Sequence, residues 1–163
     1  LLKAGADPNI RYGSSNSLSP LYLACRNAAM TRTLLDLGAD VKSVDKLGFT
    51  PLHWAACSGI PEVVDALIDF GADVEAQSLS VTQNELHSFK GLTPLHLAAF
   101  YKKSCTLLAL LQRGGNANAR DDDGQRPLHL VCKCPDARSV ALADLLLRWG
   151  ADETATDNDG NTP

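Results

Sequence analysis

Val63, Val64, Leu67 and Ile68 fall on one stripe at helical spacing, in a segment that opens at Pro61 and stops at Gly71. Leu34 with Leu35, Leu110 with Leu111 and Leu146 with Leu147 hold the matching places of three further segments. A shorter helical stretch precedes each. The best formed starts at Thr50, whose hydroxyl can cap a helix, followed by Pro51 at the first helical position, where a missing N–H costs nothing. His53 lies within reach of that cap. Ala55 and Ala56 are small and let the helix approach its neighbours closely, and Gly59 can end it in a left-handed conformation. The pattern predicts pairs of short helices.

The pairs repeat. Ser19-Pro20-Leu21-Tyr22, Thr50-Pro51-Leu52-His53, Thr93-Pro94-Leu95-His96 and Arg126-Pro127-Leu128-His129 align, and Thr162-Pro163 begins a fifth copy. Between them stand Gly5-Ala6-Asp7, Gly38-Ala39-Asp40, Gly71-Ala72-Asp73, Gly114-Gly115-Asn116 and Gly150-Ala151-Asp152. The glycines are 33, 33, 43 and 36 residues apart. The sequence resembles the ankyrin repeat family, and the unit Asp45 to Gln77 carries the likeness best. The resemblance covers essentially the whole chain. It implies an all-α repeat solenoid of stacked helix–turn–helix units with hairpin or loop fingers. One such unit cannot bury its apolar face alone, so stability should be a sum of repeat and interface contributions. We expect a partial repeat at 1–13, full repeats near 14–44, 45–77, 78–120 and 121–156, and a partial repeat at 157–163. Neither end reads as a polar capping repeat, so the chain is expected to be a window on a longer array.

Departures from the pattern are local. Tyr22 stands where the family has histidine and Ser17 where it has glycine, so irregular geometry is expected there. The fourth unit has three extra residues, expected in the turn around residues 133–138. Arg126 replaces the capping threonine, which should weaken that helix start. Ten extra residues lie between Gly71 and Pro94, in a finger insertion near 77–90. It reads either as a solvated extension or as a lengthened binding finger.

Composition narrows the class. The chain has 163 residues, is 45% hydrophobic and carries a net charge of −4, which disfavours nucleic acid as the main partner. Its apolar runs are too short to cross a membrane. Cys25, Cys57, Cys105, Cys132 and Cys134 are odd in number and irregular in spacing, so reduced thiols in the cytoplasm or nucleus are expected. Cys132 should be buried in place of a helix alanine, with Cys134 nearer the surface. The Cys132–Cys134 pair lacks partners for zinc, and His87 is alone in the insertion. Asp121-Asp122-Asp123-Gly124 and Asp157-Asn158-Asp159-Gly160 lack the first and twelfth ligands of a calcium loop and read as turns. No nucleophile elbow, phosphate loop or dinucleotide fingerprint is present. No catalytic residue, cofactor, metal or small-molecule substrate is expected.

The resemblance implies protein binding through a concave face and finger tips. Positions following the paired small residues would be Arg26 and Asn27, Cys57 and Ser58, Phe100 and Tyr101, and Lys133 and Cys134. Finger tips would offer Lys46, Leu47 and Phe49, then Phe89, Lys90 and Leu92, then Asp122, Asp123 and Gln125. The middle units concentrate Leu47, Phe49, Phe89, Leu92, Phe100 and Tyr101, an apolar anchor of the kind that dominates interfaces. The acidic last fingers, with Asp121, Asp157 and Asp159, would attract basic residues of a partner. The competing reading is a structural spacer or autoinhibitory scaffold within a larger protein. Asn9 and Asn118 also match a family position open to asparaginyl hydroxylation, with Leu1 and Leu110 upstream.

Overall fold

Each helix pair is set by local chemistry. In the computed structural model, which describes residues 7–12, 18–79, 90–133 and 135–163, the helices are α1 Pro20–Ala24, α2 Ala28–Asp36, α3 Pro51–Ser58, α4 Pro61–Asp69, α5 Pro94–Phe100, α6 Ser104–Gln112, α7 Pro127–Cys132 and α8 Ala137–Arg148. Proline occupies the first turn of α1, α3, α5 and α7. Thr50 caps α3 by accepting the His53 N–H, and the Thr50 N–H donates back to His53 Nδ1 at 3.1 Å. Gly59 ends α3 with φ +79°, as its place in the sequence implies.

Odd helices pack on odd and even on even: α1, α3, α5 and α7 form one layer, and α2, α4 and α6 the other. The core runs between the layers. Leu21, Leu52, Leu95 and Leu128 come from the first layer, Leu34, Leu67 and Leu110 from the second, and Leu146 from α8. Val63, Val64 and Leu67 are fully buried, with Ile68 at the margin. The arrangement is the expected all-α solenoid.

Three expectations change. The extra residues of the fourth unit are in the helix, not the turn. Pro51 to Pro61, Pro94 to Ser104 and Pro127 to Ala137 all span ten residues, while α8 has twelve residues against nine in α2, α4 and α6. Asp136 explains this, because its carboxylate caps α8 by accepting the Ser139 N–H at 2.8 Å. Cys132 is exposed rather than buried. Its counterpart Cys25 points its thiol at the Pro51 carbonyl of the next first-layer helix, and no described helix follows α7 on that side. Leu147 is likewise exposed, and the main helix partner of α8 is α7.

The first unit is irregular in a compensated way. Its helices start eight residues apart instead of ten, and its hairpin is two residues longer, Tyr12 pairing with Leu18 where Asp45 pairs with Phe49.

The fingers after the first are each closed by one side chain. Asp45 Oδ1 accepts the Leu47 and Phe49 N–H groups, both at 2.9 Å, and Asp157 does the same for Asp159 and Asn161. Ser78 takes this part in the third finger: it pairs with Leu92 through the backbone, and its hydroxyl accepts the Leu92 N–H. The Gly91 N–H then donates to Ser78, as that of Gly48 does to Asp45. Ser78 and Gly91 thus hold the places of Asp45 and Gly48 but are thirteen residues apart in the sequence rather than three. Residues 80–89 of the insertion, with Phe89 and His87, are outside the described residues.

Neighbouring tips are joined by backbone hydrogen bonds from Leu79 to Leu47, Asp122 to Lys90 and Asn158 to Asp123. Gly124 meets two demands here, a φ of +76° and the close approach of Asn158 and Arg120, whose side chains a Cβ would strike. We expect Gly124→Ala to cost about 1–2 kcal/mol, read as a lower urea midpoint at unchanged slope.

Candidate functional site

The repeated histidines tie unit to unit. His53 Nε2 reaches the Leu92 carbonyl at 2.9 Å, His96 that of Gln125 at 3.1 Å and His129 that of Asn161 at 3.2 Å. Leu92 and Gln125 stand immediately before the next helix caps, Thr93 and Arg126. Tyr22 fills the same place with a different group. Its hydroxyl donates to the carbonyls of Phe49, at 3.1 Å, and Ser43, at 2.8 Å. The histidines thus have structural work. In His53 and His96 the backbone N–H of Thr50 or Thr93 donates to Nδ1, so the ring proton is on Nε2. Burial lowers the pKa of both rings to about 4 and keeps them neutral.

That shift gives stability a pH dependence. The unfolded chain takes up protons near pH 6.5 and the folded chain only near 4, so stability falls as pH drops through this window. Each of the two histidines contributes at most about 3 kcal/mol to the fall. Asp121, raised to about 6 by burial, acts oppositely and offsets part of it. We expect thermal melts to show a lower Tm at pH 4.5 than at pH 7, with a smaller drop for His96→Gln.

Burial also raises the Cys25 and Cys57 thiols to about 12 and about 11, so neither is a nucleophile at neutral pH. Cys25, Cys57, Cys105 and Cys132 are all free thiols. Among the described residues no three His, Cys, Asp or Glu side chains gather as a metal site would need, and no helix is long and apolar enough to cross a membrane.

The G-A-D phrases carry a second inter-unit link. Asn9 donates to the Gly38 carbonyl and accepts the Asp40 N–H; Asn118 does the same with Gly150 and Asp152. Asn118 also accepts from Arg126. Glu75, at the equivalent place, accepts the Asn116 N–H at 2.8 Å. Both asparagine amides are engaged on two sides, so hydroxylation at either would first require these bonds to open.

The surface set divides by burial. Leu47, Phe100 and Tyr101 are 43%, 40% and 46% exposed, and Phe100 meets Tyr101 edge to face at 5.1 Å. Phe100 ends α5 and Tyr101 caps it. Arg26, Lys46, Asp122, Asp123 and Lys133 are exposed. Cys57, Ser58, Lys90 and Gln125 are half-buried, and so is Phe49, whose ring lies 5.3 Å from that of His53. Leu92 is a correction: it is 4% exposed, because its carbonyl takes the His53 bond and its side chain turns into the core, so it cannot meet a partner. Asn27 is exposed, but its side chain caps α2 by accepting the Met30 N–H. Phe89 and Cys134 are outside the described residues. Asp121 and Asp157 are committed to their turns, which leaves Asp122, Asp123 and Asp159 as the acidic tips.

Several exposed apolar residues lie outside the expected set, among them Leu23, Leu79, Val140 and Trp149. Leu23 is 69% exposed, although its counterparts Leu97 and Leu130 are buried, and no sequence signal separates them. Leu79 is 55% exposed, and its place beside Ser78 at the hairpin base is the signal that could have found it.

Comparison with known proteins agrees with this geometry. The family model for ankyrin repeats in three copies matches residues 1–78 and again 79–163. The chain is 32% identical over 153 residues to human Rabankyrin-5, covering 87% of this chain and 12% of that protein. It is 31% identical over 149 residues to the chicken nuclear factor NF-kappa-B p105 subunit, covering 89% and 14%. It is 31% identical over 130 residues to the bovine inactive serine/threonine-protein kinase TEX14, covering 80% and 8%. The chain thus spans a small part of the length of these relatives.

Proposed function

The chain belongs to the ankyrin-repeat family, and on that premise we propose that it is a non-catalytic protein-interaction module, seating a protein partner on its concave face and finger tips. Ankyrin repeats in general are protein–protein interaction modules. The observation that carries the reading is the exposed pair Phe100 and Tyr101. Two aromatic side chains held edge to face at the end of α5 present apolar area that nothing within the described chain covers fully. Leu47 adds a third apolar group, and Asp122, Asp123 and Asp159 favour a partner with basic residues toward the last fingers. Free thiols are in keeping with the cytoplasm or nucleus.

The test is capture of partners by the wild-type array and by Phe100→Ala/Tyr101→Ala, after circular dichroism shows equal helicity. A protein held by the wild type and lost by the variant supports the module. A partner held equally by both refutes the aromatic anchor. The second reading, a spacer or autoinhibitory scaffold, draws on the small share of each relative that the chain covers. It predicts no partner that needs these side chains.

A further inference from the structure

The turns between paired helices lie at the opposite end of the stack from the fingers. A cleft of about 400 Å³ opens there, between the turn after α3, the turn after α5 and the start of α8. Lys102, Lys103 and Arg138 line it, with the hydroxyl of Ser104 and the thiol of Cys105 between them. Three cations thus share one concavity in a chain of net charge −4. The carboxylate beside them is Asp136, which holds Lys102 at 2.9 Å and is also committed to capping α8. It balances one of the three charges and leaves those of Lys103 and Arg138.

The turn is built to hold this arrangement. Lys102 takes a left-handed φ of 54°, where Gly59 in the preceding unit has 79°. A side chain is costly in that conformation, and here it supplies the ion pair with Asp136. The Lys103 stem lies across Gly59, where a Cβ would approach its Cδ to 3.2 Å. Arg138, in the first turn of α8, lines the cleft from that helix. Inside the cleft α6 begins without a side-chain cap, so its first N–H groups add to the positive potential.

We propose that this cleft receives the phosphorylated side chain of a protein partner. A phosphoryl group near neutral pH carries close to two negative charges, which match the two cations left over. The Arg138 guanidinium can bond two of its oxygens, and the Lys103 ammonium a third. The volume suits one short side chain bearing a phosphate. The assignment rests on the protein-binding reading above and adds a contact remote from the fingers.

The test is an NMR titration of the intact chain with N-acetyl-phosphoserine N-methylamide, its unphosphorylated counterpart and inorganic phosphate, at constant ionic strength. We expect saturable shifts of the Ser104 and Cys105 amides with the phosphorylated probe and none with the unphosphorylated one. Lys103→Glu/Arg138→Glu should weaken binding at least about tenfold. Lys103→Gln/Arg138→Gln serves if charge reversal disturbs the fold. The proposal is overturned if the phosphorylated probe gives no saturable shift, if the variants bind as the wild type does, or if free phosphate binds while the capped phosphoserine does not. The probe has no apolar anchor, so failure here leaves the Phe100–Tyr101 reading standing, and loss of that reading leaves this titration unchanged.

Discussion

Replacing His96 with alanine should lower the stability of the array by about 2–4 kcal/mol. The ring is fully buried and satisfies three groups at once. Its Nδ1 meets the Thr93 N–H at 3.2 Å and the Thr93 hydroxyl at 2.9 Å, and its Nε2 donates to the Gln125 carbonyl. Alanine would leave a cavity and strand the Thr93 N–H and the Gln125 carbonyl without partners. Both lie at the junction of α5 with the finger that precedes α7, so the damage falls on the coupling between units. Urea unfolding should show an earlier midpoint, and the protein should become less cooperative as the last unit opens on its own. A loss below about 0.5 kcal/mol would be the size of an ordinary surface substitution and would show that the histidine ladder does not couple the units.

Removing Phe100 and Tyr101 together should weaken partner binding by about 2–4 kcal/mol, a thirtyfold to thousandfold rise in Kd. The two rings contact each other, so the single variants should not add: losing either one also frees the other from its edge-to-face position. Stability should change little, since both side chains are more than a third exposed. Isothermal titration of the captured partner against both single variants and the double variant gives the coupling directly. A double variant within twofold of the wild type would remove these residues from the interface.

Local chemistry is legible in the sequence; neighbour-dependent burial is not. Thr50, Pro51 and His53 act within four consecutive residues, so the residue order alone reveals their cap. By spacing, Leu92 reads as an exposed tip residue and Cys132 as a buried helix residue, and each is the reverse. Their burial depends on what packs beside them, which spacing within one unit does not encode. Tyr22 reads as a flaw in the motif, yet its hydroxyl reaches the Phe49 carbonyl that a histidine would have reached. The three additional residues of the fourth unit read as a longer turn, yet they extend α8, whose start is fixed by the Asp136 cap. The cleft of Lys102, Lys103 and Arg138 joins two helix pairs, and no single segment announces it. Of the proposed surface, Arg26, Lys46, Leu47, Phe100, Tyr101, Asp122, Asp123 and Lys133 keep the exposure a partner would need.

Hydrogen–deuterium exchange of the array, alone and saturated with its captured protein, tests most directly which face binds. The account predicts slowed exchange at the end of α5, around Tyr101, and at the finger tips near Leu47 and Asp123, with α2 and α4 unaffected. Slowed exchange confined to α2 and α4, with Tyr101 and the tips unchanged, would place the partner on the opposite layer and contradict it.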